Sequence, residues 1–71
     1  MKAIADASRS DMEKVIYEWI IGKNGERDRK ILARRLFDGI TYERLAEEFE
    51  MSVSQVKRIL YHGMNVIIRH L

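Results

Sequence analysis

Seventy-one residues, 46% hydrophobic and 34% charged with a net charge of +2, suit one amphipathic globular domain and exclude a disordered tail. A chain this short buries only about 60% of its unfolded surface, and it has no cysteine for a disulfide framework or a thiolate zinc site, so apolar side chains must supply the core. No apolar run approaches the roughly 18 residues of a membrane span, and the N-terminal MKAIADASRSD lacks the apolar block of a signal peptide, so a cytoplasmic protein without a membrane partner is expected.

Residues 1–9 read as a flexible N-terminus and 10–71 as a single domain. Ser10-Asp11-Met12-Glu13 has the form of a capping box, the serine covering orphan amides and the glutamate reaching back. Met12, Val15, Ile16, Trp19 and Ile20 follow at i, i+3, i+4, i+7 and i+8, one helical stripe. Trp19 sits inside that stripe and is assigned to the core rather than to a stacking platform. Gly22 is expected to stop the helix, and Asn24-Gly25 to turn the chain.

A second helix is expected from about Glu26 to Phe37. Leu32, Ala33, Leu36 and Phe37 share one side of it, and Arg27, Lys30 and Arg34 lie largely on the other. Asp38-Gly39 ends it. Thr41 caps a short third helix with Leu45, Ala46 and Phe49 facing inward. Glu50-Met51 forms a tight turn, and Ser52-Val53-Ser54-Gln55 is a second capping box opening a long fourth helix. With no proline to interrupt them, the helices run nearly end to end. The fold class is all-α, a three- to four-helix bundle with a long C-terminal helix.

At 100° per residue, Val56, Leu60, Gly63, Ile67 and Leu71 cluster on one side of the last helix, with Ile59 on the flank. Ser54, Lys57, Arg58, Tyr61, His62, Asn65 and Arg69 fill the opposite arc. Formal charge runs −1 over residues 1–21, +4 over 22–37, −4 over 38–50 and +3 over 51–71, the last segment holding no acid. That asymmetry points to an anion facing the C-terminal helix.

A helix-turn-helix needs a short helix, a tight turn and a second helix crossing steeply, with a small residue where the two meet. Ala46 is that small residue, and Leu45, Phe49, Met51, Val56 and Ile59 fall where the surrounding apolar wedge belongs. The stretch ERDRKILARRLFDGITYERLAEEFEMSVSQVKRILYHGM resembles the fourth region of bacterial sigma factors, which reads the −35 promoter element. The resemblance is carried by Glu26-Arg27-Asp28-Arg29, Phe37-Asp38-Gly39, Thr41-Tyr42-Glu43, Leu45-Ala46-Glu47 and Val56-Lys57-Arg58. The same scaffold occurs in LuxR-type output domains. Stand-alone relatives of this size are typical of prophages and mobile elements. The resemblance implies double-stranded DNA as the partner, RNA polymerase as a further one, and a role in transcription regulation. No second sigma region accompanies the match, so a complete sigma factor is not expected. The chain departs from the family at Glu50, where glycine is usual; at Arg34, for an apolar residue; at Arg44, for an acid; and at Ile59, for a base.

A protein of this kind offers the first turns of its recognition helix to base edges in the major groove. Val53, Ser54, Gln55, Lys57 and Arg58 are the candidates for base readout, Gln55 toward adenine and Lys57 or Arg58 toward guanine. Thr41 and Tyr42, through amides at the start of the third helix, and Arg27, Lys30, Arg34, Arg35, Tyr61 and His62 are the candidates for phosphate contact. Each has a plainer reading: Gln55 can serve only the capping box, Lys57 and Arg58 a solvated face, and Arg34 or Arg35 an ion pair with Asp38. Met12, Met51 and Met64 read as packing. Glu43, Glu47, Glu48 and Glu50 read as an exposed acidic side that limits non-specific DNA binding or meets a basic partner.

No nucleophile–base pair, metal cluster or phosphate loop is present in the sequence, and His62 and His70 are eight apart. A non-enzyme without cofactor is expected. Two further readings compete. One is a LuxR-like regulator dimerising through Val66, Ile68 and Leu71, against a monomer. The other is a helical protein-interaction module that binds RNA polymerase or a sigma factor without reading DNA.

Overall fold

The computed structural model describes residues 8–71. Four helices follow in order, α1 (Arg9–Trp19), α2 (Gly25–Asp38), α3 (Tyr42–Glu48) and α4 (Val53–His70), and no strand occurs among the described residues. The all-α bundle is therefore as expected, with four helices. The N-terminal stretch expected to be flexible lies outside the described residues up to residue 7, while Ser8 and Arg9 already belong to the start of α1.

The cap of α1 is Ser8 rather than Ser10. Ser8 is extended (φ −72°, ψ 159°), its hydroxyl accepts from the Asp11 amide at 3.1 Å, and its carbonyl accepts from the Met12 amide. Both serines precede an acid by three residues, so the local pattern fits either. Starting at Ser8 gains propagating backbone bonds and frees Glu13 to take the Arg9 guanidinium at 2.8 Å.

Ten side chains, Val15, Ile16, Ile20, Ile31, Leu32, Leu45, Ala46, Val56, Leu60 and Ile67, form the core. α4 touches all three other helices and is the axis of the bundle. Two features of this core are not given by the helical stripes alone, one a residue outside them and one a contact between them. Ile31 is fully buried beside Leu32, although the α2 stripe runs through Leu32, Ala33, Leu36 and Phe37. Gly63 lets Leu32 of α2 lie directly against the backbone of α4, since a Cβ there would stand 2.5 Å from Leu32 Cδ1.

Trp19 corrects the expectation of a core tryptophan. It remains 48% exposed, with its ring lying flat on His70 at 3.7 Å between centroids. α1 ends at Trp19, and the smaller Ile16 and Ile20 already close the core beneath it. The indole is left to cover the last turn of α4 from outside.

α2 and α3 end in the same way. The Ile40 amide reaches back to the Arg34 carbonyl past Gly39 (φ 66°), and the Met51 amide reaches back to the Ala46 carbonyl past Glu50 (φ 53°). Both terminations pass through a left-handed residue; the Met51 bond is six-to-one, and in α2 the six-to-one bond is made by the Gly39 amide to the same Arg34 carbonyl. Glycine supplies the conformation at the first. Glutamate adopts it at the second, with the strain an L side chain carries there.

Candidate nucleic-acid interface

No polar or charged side chain is buried among the described residues, so every ionisable group is presented at the surface. The candidate site is accordingly a face, built on the α3–turn–α4 unit. The turn ends at Ser52, whose hydroxyl accepts from the Gln55 amide at 3.1 Å while Gln55 Oε1 accepts from the Ser52 amide at 3.0 Å. The capping box fixes where α4 begins and which way its first turn points. It also occupies the Gln55 side-chain oxygen and leaves that amide's N–H groups outward.

From that start, Ser54, Lys57, Arg58, Tyr61, His62, Asn65 and Arg69 are all exposed, as the helical projection placed them. Val53 is half-buried beside them. Tyr61 is 74% exposed, far more than packing would leave it. α4 contains no carboxylate, so these donors meet no competing acid along their own helix.

The phosphate candidates divide into two groups. Arg35, Tyr42 and Tyr61 come together, and Lys57, a candidate for base readout, stands among them. The Arg35 guanidinium lies 4.5 Å from the Tyr42 ring centroid and donates from Nη1 to the Ile40 carbonyl at 3.1 Å. The Lys57 ammonium lies 5.6 Å from the same centroid, and Lys57 and Tyr61 line one shallow groove with Tyr42. Thr41 begins α3 and its hydroxyl oxygen accepts from the Arg44 amide, so it serves chiefly as a cap.

Arg27, Lys30 and Arg34 do not join that cluster. Arg27 pairs with Asp28 at 3.1 Å, and Lys30 with Glu26 at 3.6 Å. Arg34 is held by two carboxylates, Glu48 at 3.0 Å and Asp38 at 3.6 Å, the first of which ties α2 to α3. Arg29, to which the sequence assigns no role, donates to the Ile20 carbonyl at 2.8 Å and closes the α1–α2 turn.

The acidic side also divides. Glu48 is engaged by Arg34, whereas Glu43, Glu47 and Glu50 rim an open groove floored by Ala46, Met51 and Val53, beside the start of α4. Of the residues suggested for self-association, Val66 and Leu71 pack partly against the core and Ile68 stays 47% exposed. Nor is any helix among the described residues long and apolar enough to cross a membrane.

The sequence gives no sign that Tyr42 and Lys57 meet. A helical projection records the direction in which Lys57 points, not which neighbouring helix stands there. The contact depends on how the turn at Glu50 sets α3 against α4.

Residues 25–67 match the family described as sigma-70, region 4, a span running from the first residue of α2 through most of α4. No curated protein matches the chain, and no solved structure does.

Proposed function

Since the chain belongs to the sigma-70 region 4 family, a DNA-binding helix-turn-helix region of transcription, we propose that it reads specific double-stranded DNA sequences with the first turns of α4 in the major groove. The observation that carries this reading is the exposed arc of α4 from Ser54 to Arg69, rich in donors and free of carboxylates. Arg58 is suited to the N7 and O6 of guanine, Ser54 to either a base edge or a phosphate, and Val53 to a thymine methyl group. The free N–H groups of Gln55 can donate to a base acceptor while its oxygen holds the cap. Arg35, Tyr42 and Tyr61 sit where the flanking backbone would pass.

RNA polymerase is the second partner in this reading. The groove between α1 and α2, lined by Ile16, Tyr17, Ala33 and Phe37 among charged residues, includes no residue of α4 and stays accessible while α4 occupies DNA.

The test is binding to a pool of random duplex DNA, followed by fluorescence anisotropy across a salt series, with sequencing of the bound fraction. A steep loss of affinity with salt together with an enriched motif is the expected result. Salt-dependent binding without a motif would make the chain an accessory protein that borrows its specificity. Absence of binding at low salt would overturn the DNA reading and favour an interaction module.

A further inference from the structure

Two cations from different helices share one aromatic ring. Arg35, on the last turn of α2, and Lys57, on the second turn of α4, both lie within 6 Å of the Tyr42 ring centroid at the first residue of α3. A π face attracts a cation, so the tyrosine holds together two like charges that would otherwise separate. Arg35 is fixed from a second direction by its bond to the Ile40 carbonyl, and this leaves the rest of its planar fork free. Neither cation pairs with a carboxylate among the described residues, in contrast to Arg27, Lys30 and Arg34.

We infer that Arg35, Tyr42 and Lys57 form a single grip for the phosphate backbone, in which Tyr42 is the positioning residue and Lys57 serves the backbone rather than a base edge. The inference rests on the DNA reading above and deepens it. An ammonium drawn toward α3 is directed away from the axis of α4, along which base edges would lie, and toward the side where Arg35 waits. A point charge without fixed directionality is suited to a phosphate, whereas base discrimination needs an oriented fork such as that of Arg58. Two paired cations from two helices also fix the angle at which α4 meets the duplex. That is what a backbone contact contributes to a reader.

The experiment measures anisotropy of the full chain on the random duplex pool across a salt series, with sequencing of the bound fraction, for the parent, Lys57→Met, Arg58→Met, Tyr42→Leu and Tyr42→Phe. Thermal unfolding of each is followed alongside. Lys57→Met should weaken binding to all sequences by about tenfold, lower the slope of log affinity against log salt by about 0.9 and leave the motif unchanged. Arg58→Met should alter the motif. Tyr42→Leu should lower affinity by about fivefold and reduce the salt slope, because the unpinned cations engage the backbone less fully, while Tyr42→Phe, which keeps the ring, stays within about twofold of the parent. A purely structural role for Tyr42 would lower stability without moving the salt slope, and that result overturns the grip. So does a change of motif in Lys57→Met, which would make Lys57 a base reader and leave the DNA reading intact. A parent that binds no duplex at any salt overturns the DNA reading itself, and the grip with it.

Discussion

α2 and α4 are both long, both basic at the surface, and pack against each other through Leu32 and Gly63, yet they use their charge in opposite ways. α2 carries its own acids, and Arg27, Lys30 and Arg34 each hold a carboxylate of α2 or α3. α4 carries none, and Lys57, Arg58 and Arg69 face solvent. Counting basic residues would rank α2 above α4 as a DNA surface. Following each cation to its partner reverses the order, because an arginine already in an ion pair must give up that partner before it can take a phosphate. Two arginines of α2 are bound otherwise: Arg29 closes the α1–α2 turn on the Ile20 carbonyl, and Arg35 reaches past the end of its helix to Ile40 and Tyr42 and so joins the face of α4.

Reversing the charge of Lys57 and Arg58 gives the largest expected effect. Lys57→Glu with Arg58→Glu should lower duplex affinity by at least about 100-fold, since two contacts are lost and two repulsions gained. The thermal midpoint should move by no more than about 2 °C, because both side chains are exposed and the packing given up is that of Lys57 on the partly buried Tyr42 ring. Binding within a few-fold of the parent would return the DNA surface to α2 or remove it altogether.

The seam that joins the two helices gives the next largest effect. Gly63→Ala places a methyl group against a fully buried Leu32 and should cost about 1–3 kcal/mol, read as a fall in the thermal midpoint of roughly 4–8 °C per kcal/mol. Ala46→Leu should also destabilise, by about 1 kcal/mol. Ala46 borders the open groove beside Met51, so part of a larger side chain can escape into it. If Ala46→Leu proved the worse of the two, the tightest crossing would lie between α3 and α4 rather than between α2 and α4.

These two positions also indicate how far the sequence could be read. The extents of α2, α3 and α4, the Thr41 and Ser52 caps, the capping box at Gln55, the turn at Glu50 and the two sides of α4 all follow from local spacing, and local spacing is what a single chain displays. The misreadings and omissions concern neighbours. Ser8 displaces Ser10 because two overlapping signals compete within one turn. Trp19 lies outside because a stripe does not say how many large side chains the facing helices can cover. Ile31 and Gly63 take their importance from an α2–α4 approach that neither helix displays alone. The same holds at the candidate interface, where exposure of the α4 arc was legible but the meeting of Tyr42 with Lys57 and the engagement of Arg34 by Glu48 were not.

A smaller effect is expected at the turn itself. Glu50 adopts a left-handed backbone that Gly39 adopts without strain at the equivalent point of α2. Glu50→Gly should therefore raise stability by about 1 kcal/mol despite the extra freedom glycine has when unfolded. Thermal unfolding checks it. A neutral or destabilising outcome would mean that the Glu50 side chain contributes something in place that offsets its backbone strain.

The smallest effect is expected on α2. Arg34 is bound to Glu48 and Asp38 at a partly exposed site, where such pairs stabilise by about 0.2–1 kcal/mol. Arg34→Gln should lower stability by that amount and leave duplex affinity within about twofold, with the salt slope unchanged. The slope is the discriminating quantity, since it falls by about 0.9 for every phosphate contact removed, whatever happens to the fold. An unchanged slope leaves Arg34 as the tie between α2 and α3. A slope reduced by one contact would mean that Arg34 exchanges its carboxylates for a phosphate when DNA arrives, and that the ion pairs of α2 hold its cations in reserve.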